Sequence, residues 1–134
     1  MASDRVWGDK IHKTVILDSS AILMFFEFSL DWEEELSRLL GAYTVVVPTA
    51  VINELRRLAI RRAGGKKAAA ALQLIQNYET VESDVAYADD AILSIASKTK
   101  GVVVTNDAEL RRRLHKQGNS VIFLRGKKKL ALDE

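Results

Sequence analysis

Lys13-Thr14-Val15-Ile16-Leu17-Asp18-Ser19-Ser20-Ala21 is the stretch that decides the fold: a β-branched run, an acid, two hydroxyls, then the start of an apolar helical pattern. Three consecutive apolar residues, Val15, Ile16 and Leu17, mark a strand buried on both faces, as strands of a parallel sheet are. Ser19 and Ser20 are placed to cap a helix beginning near Ala21. The unit reads strand, acid, helix. It returns downstream, where Val102-Val103-Val104 runs into Thr105-Asn106-Asp107 and then a helix patterned by Leu110 and Leu114.

Between the two units, Asp31 and Glu34 form a capping-box-like pair that opens a helix carrying Trp32, Leu36, Leu39 and Leu40 inward until Gly41. A strand over Tyr43 to Val47 is ended by Pro48, which has no N–H to give a ladder. Thr49 then caps a helix with Val51, Ile52, Leu55, Leu58 and Ala59 on one face, and Gly64 and Gly65 break it. A helix over Lys66 to Asn77, a short strand near Thr80 to Glu82 and a helix from about Asp89 to Lys100 follow, the last closed by Gly101. Val121 to Leu124 reads as the final strand. This alternation predicts a single α/β domain over residues 1–134, a three-layer α/β/α sandwich on a mostly parallel sheet. Its core spans about 13–125, and about 126–134 reads as a basic tail.

Composition narrows the chemistry. A 48% hydrophobic content in 134 residues suits one domain with a real core. There is no cysteine, which excludes disulfides, thiolate zinc sites and cysteine nucleophiles, and only His12 and His115 offer imidazole. Any metal must therefore lean on carboxylates. Met1 to Lys10 is mixed and polar, and the apolar run Ala21 to Phe26 is too short to span a bilayer, so a cytoplasmic protein without a membrane segment is expected. No G-x-G-x-x-G, P-loop, G-x-S-x-G or H-E-x-x-H motif occurs.

Five acids, Asp18, Glu54, Asp89, Asp90 and Asp107, stand where strands hand over to helices or just inside those helices. Open parallel sheets bind ligands beyond the carboxyl ends of their strands, so Asp18 and Asp107 belong on one rim. At about 100° per residue, Asp89 falls on the line of Ile92, Leu93 and Ala96, whereas Asp90 lies about 100° away and reads as a helix-start or outer group. Glu54 borders its own apolar stripe, with Arg57 and Arg61 at i+3 and i+7 along the same side. Each acid alone has an ordinary explanation as a cap or first-turn residue. Together they repel one another unless a cation intervenes, and oxygen-only donors select Mg²⁺ or Mn²⁺. Such an ion supports phosphodiester hydrolysis. Arg57, Arg61, Arg111, Arg112 and Arg113 then read as contacts to a polyanion or, equally, as solvated helix faces.

In ordered motifs from Lys13 to about Arg125, the chain resembles the PIN-domain ribonucleases. Val15-Ile16-Leu17-Asp18-Ser19-Ser20-Ala21 is similar to the family's first motif, and Val47-Pro48-Thr49-Ala50-Val51-Ile52-Asn53-Glu54-Leu55 to the second. Asp89 with Ile92 and Ala96 resembles the third, and Val104-Thr105-Asn106-Asp107 the fourth. The resemblance implies Mg²⁺- or Mn²⁺-dependent cleavage of single-stranded RNA. It also implies Asp18, Glu54, Asp89 and Asp107 as ligands, Asp90 as an added candidate, and Ser19, Thr105 and Asn106 in support. Tyr87 to Ile92 and Asp107 to Leu114 look closer to the PIN endonucleases of ribosomal RNA processing and their archaeal relatives than to toxins. The alternatives are a VapC-type toxin ribonuclease held by an antitoxin, and a catalytically weak RNA-binding PIN module. Expected partners are single-stranded or structured RNA and an antitoxin or ribosome-assembly protein. A second copy of the chain is also expected, through the apolar residues among Phe25, Phe26, Phe28 and Leu30.

Overall fold

The computed structural model describes residues 12–83, 85–126 and 128–134. The readings of Met1 to Lys10 as a polar lead-in and of Lys127 as part of a basic cluster lie outside them. Six strands, β1 (Lys13–Leu17), β2 (Tyr43–Pro48), β3 (Glu79–Val81), β4 (Val102–Val104), β5 (Val121–Arg125) and β6 (Lys129–Asp133), form one sheet in the order β3-β2-β1-β4-β5-β6. All pairings are parallel except β5 with β6. Six helices lie among the described residues: α1 (Ser19–Glu27), α2 (Trp32–Leu40), α3 (Thr49–Ala59), α4 (Gly65–Leu74), α5 (Ala88–Thr99) and α6 (Ala108–Lys116). This is the mostly parallel α/β sandwich the alternation predicts. None of these helices is long and apolar enough to cross a membrane.

The order places the switch point between β1 and β4, the two strands whose sequences are apolar throughout their buried part. Val15, Ile16, Leu17, Val103 and Val104 have no exposed surface, and Val102 almost none. Burying such a side chain contributes about 1.5–3 kcal/mol, so the centre of the sheet is also its firmest part. Gly101 allows it to close: a Cβ there would stand 2.8 Å from the Thr14 carbonyl oxygen and 3.1 Å from Ile16 Cδ1. Asn119, buried beside this turn, donates from Nδ2 to the carbonyls of Ala96 and Gly101 at 2.9 and 3.0 Å, tying the end of α5 to the start of β5.

Several local expectations shift. Ser19 and Ser20 lie inside α1, with Asp18 at the N-cap position. Pro48 closes β2 as its last residue and occupies the N-cap of α3, while the Thr49 hydroxyl donates to the Val81 carbonyl at 3.0 Å instead of capping. Asp31 does cap α2, accepting from the Glu34 N–H at 3.3 Å. Phe25 and Leu30 are core, Phe25 stacking on Trp32 with ring centroids 4.9 Å apart, so only Phe26 (42% exposed) and Phe28 (37%) remain at the surface.

The largest departure is at the end of the chain, where the residues read as a basic tail supply β6. Lysines suit an edge strand because they discourage further pairing, and Leu130 beneath them is buried. Glu35 on α2 fastens this edge: its Oε1 accepts from the Leu130 N–H and from Arg38 Nη2, both at 2.9 Å, and Arg38 donates onward to the Leu130 carbonyl. Pairing with Arg38 first, and the Leu130 N–H second, holds the Glu35 carboxyl down at about 2. Because its folded value lies below its unfolded one, the contact stabilises fully above pH 4.5 and fades as pH falls toward 2. Glu35→Ala should cost about 1.5 kcal/mol at pH 7 in urea denaturation. The gap to wild type should close in acid; one that persists at pH 2 would assign the loss to something other than this charge.

Candidate active site

The site is built on the carboxyl ends of β1 and β4. Asp18 follows β1 directly and is only 4% exposed, which costs an ionised carboxylate much of its hydration. Its Oδ2 accepts from Thr105 Oγ1 at 2.5 Å and from Ser20 Oγ at 2.8 Å; Ser19 Oγ lies 3.5 Å from Oδ1 and donates to Glu54 Oε1 at 2.6 Å. One serine therefore links the acid of β1 to the acid of α3. Burial raises the Asp18 carboxyl, the Thr105 and Ser20 hydroxyls pull it back, and the charge of Glu54 raises it further.

Thr105 joins the two strand ends. Fully buried, its hydroxyl donates to Asp18 and accepts from the Asp107 N–H at 3.0 Å. Asp107 caps α6 through Oδ1, which accepts from the N–H groups of Glu109 and Leu110 at 2.9 and 3.1 Å. Asp89, exposed in the first turn of α5, has its carboxyl raised first by partial desolvation, then by the charges of Asp18, Asp107 and Glu54, with Arg113 opposing. Four carboxylates thus share one field.

Asp90 turns elsewhere: its Oδ1 accepts from Arg113 Nη2 at 3.2 Å across the α5–α6 interface. Asn106 also faces the fold, its Oδ1 accepting from the Leu124 N–H at 2.8 Å and its amide reaching Met24 Sδ at 2.9 Å. Of the arginines, Arg111 is drawn to the sheet edge, over the Phe123 ring at 4.2 Å and beside Asp133 at 3.5 Å, and Arg112 is paired with Glu109. Arg57 and Arg61 stay exposed on and just beyond α3. Sequence reasoning missed Ser20 as a donor to Asp18, reading its hydroxyl as a helix cap.

Among the described residues, no three histidine, aspartate or glutamate side chains converge closely enough to enclose an ion. The donor set nonetheless suits a hard cation. Mg²⁺ keeps several waters and is held by one or two carboxylates, and charge at this rim would relieve the repulsion that raises Asp18 and Asp89. Asp18, oriented by the Thr105 and Ser20 hydroxyls, could hold such an ion, with Glu54, Asp89 and Asp107 sharing its field.

Fold and site together define an α/β sandwich with an oxygen-donor centre at the switch point of its sheet. Residues 15–127 match a family model described as a PIN like domain, so the chain belongs to the PIN-domain family. Ribonuclease VapC4 of Methanocaldococcus jannaschii is 32% identical over 120 residues, covering 85% of this chain and 92% of that protein. Ribonuclease VapC9 of Archaeoglobus fulgidus is 27% identical over 135 residues, covering 99% and 98%. Among solved structures, the PIN domain endonuclease Utp24 superposes with a TM-score of 0.74 at 25% identity, over 89% of this chain and 90% of that one. VapBC2 from Rickettsia felis, bound to a DNA fragment from its promoter, shares the fold at a TM-score of 0.64 and 14% identity, over 84% and 99%.

Proposed function

We propose that this chain is a Mg²⁺- or Mn²⁺-dependent endoribonuclease that hydrolyses phosphodiester bonds of single-stranded RNA. The observation that carries the reading is the buried Asp18, held by Thr105 and Ser20 and linked through Ser19 to Glu54, in a chain whose curated relatives are named ribonucleases. A bound divalent ion would supply an activated water and stabilise charge on the departing oxygen. Asp18 anchors that ion, Glu54, Asp89 and Asp107 complete its acidic surround, and Thr105 keeps Asp18 and the start of α6 in register. Arg57 and Arg61 on one flank and Arg112 and Arg113 on the other attract the RNA backbone.

Two settings fit this chemistry. The likeness to the PIN domain endonuclease Utp24 agrees with the RNA-processing endonucleases that the motifs resemble, and the similarity to ribonucleases named VapC agrees with the VapC-type toxin alternative. Phe26 in the last turn of α1 and Phe28 at its C-cap, both exposed, are the surface we assign to a second copy; a monomer in light scattering at micromolar concentration would remove that assignment. The test of the activity is cleavage of labelled single-stranded RNA after EDTA treatment and metal add-back. Cleavage is expected only with Mn²⁺ or Mg²⁺, and activity that survives EDTA would sink the reading.

A further inference from the structure

A cleft of 440 Å³ opens between α3 and the segment joining β3 to α5, and of its lining only Arg57 has a part in the reading above. Asn53 and Arg57 line one wall and Glu82, Val85 and Ala86 the other. Its lining residues neighbour two of the acids along the chain. Asn53 precedes Glu54, Arg57 follows Glu54 by one helical turn, and Ala86 lies three residues before Asp89. Tyr87, next after Ala86 and 77% exposed, is the most exposed aromatic among the large hydrophobic residues at the surface.

We propose that this cleft seats the nucleotide next to the scissile phosphate and gives the enzyme a base preference; the inference rests on the RNA-cleaving reading of the same site. Its volume falls in the range of small-ligand pockets. Arg57 offers a guanidinium to a phosphate, Val85 and Ala86 offer apolar contact to a ring, and Tyr87, next to Ala86 in the chain, offers an exposed stacking face. Asn53 carries one amide donor group and one acceptor, whereas the Glu82 carboxylate only accepts. That combination suits an edge with adjacent N–H donors beside a carbonyl. Guanine presents two such donors beside its carbonyl, uracil presents one between two carbonyls, and adenine and cytosine present a single exocyclic amino group beside a ring-nitrogen acceptor, so guanine ranks first.

The experiment is metal-free binding of fluorescein-labelled oligouridine heptamers carrying G, A, C or U at the centre, read by anisotropy in EDTA, alongside cleavage of the same RNAs with Mn²⁺. Wild type should bind the G-containing RNA roughly tenfold more tightly than the all-U RNA and cut beside the G. Glu82→Ala and Asn53→Ala should flatten the ranking. Tyr87→Ala should weaken every RNA roughly five- to tenfold, while Tyr87→Phe, which keeps the ring, should not. A ranking unchanged in Glu82→Ala, or uracil bound best, overturns the proposal even if cleavage is robust. Base-ranked binding without any metal-stimulated cleavage supports the cleft and overturns the nuclease reading instead.

Discussion

Asp18→Asn should lower metal-dependent RNA cleavage about a thousandfold while raising the melting temperature of the metal-free protein. The loss follows from charge: a rim with one anionic oxygen fewer binds its cation more weakly and positions it less well, and several kcal/mol of transition-state stabilisation corresponds to three or more powers of ten. The gain follows from burial. Asp18 is held above the ordinary carboxylate range by desolvation and by Glu54, so its ionised form is a burden on the fold at neutral pH. Asparagine keeps what the site satisfies, since both strong donors, Thr105 and Ser20, point at the same oxygen, Oδ2. Its amide then occupies the Oδ1 side, toward Ser19 and Glu54, replacing repulsion with a donor. A rise of roughly 4 °C is the size that about 1 kcal/mol produces in a domain of this length. Single-turnover cleavage and scanning calorimetry read the two effects. Unchanged cleavage would dismiss Asp18 as the anchor, and a lowered melting temperature would dismiss the burial argument.

Thr105→Val should be damaging in a different way. Valine matches threonine in shape, so packing in this fully buried position is preserved, but both polar contacts vanish. Asp18 Oδ2 loses one donor and the Asp107 N–H loses its acceptor. Asp18 Oδ2 keeps Ser20 as a donor and Asp107 lies at the surface, so a loss of about 1–3 kcal/mol in stability is expected by chemical denaturation. Groups that orient metal ligands typically carry 10- to 100-fold in affinity or activity, and Mn²⁺ binding by titration calorimetry should weaken by about that factor. Thr105→Ser restores the hydroxyl and should recover most of the metal affinity while still losing the methyl group's packing. If serine fails to rescue, the methyl group and not the hydrogen-bond relay is what Thr105 provides.

Strand-end acids are legible in a sequence because a buried parallel strand announces itself as an unbroken apolar run, and whatever follows it lies on the rim. Asp18 after Val15-Ile16-Leu17 and Asp107 after Val102-Val103-Val104 needed nothing more. Asp89 and Asp90 part company through helical angle alone: one enters the field of Asp18, Asp107 and Glu54, and the other faces α6 and Arg113. The destination of a cation is less legible. Arg111 is drawn away by Phe123 and Asp133, and Asp133 is in place only because the lysine-rich end pairs with β5, a long-range choice that local composition argues against. Local signals also misplace hydroxyls: Ser19, Ser20 and Thr49 resemble caps, yet each bonds to a group brought by tertiary structure or by the site itself.

The Asp18–Thr105 bond spans 87 positions of sequence while joining neighbouring strands. During synthesis the first acid emerges well before the strand that seats it and the threonine that aims it, which lies 87 positions later. Until then Asp18 lacks the donor that fixes it, and Asp89 and Asp107 are not yet beside it. A polypeptide with the proposed activity would be translated from RNA by a machine built of RNA. By dividing its acidic centre between β1 and β4, this fold ties the assembly of that centre to the emergence of β4.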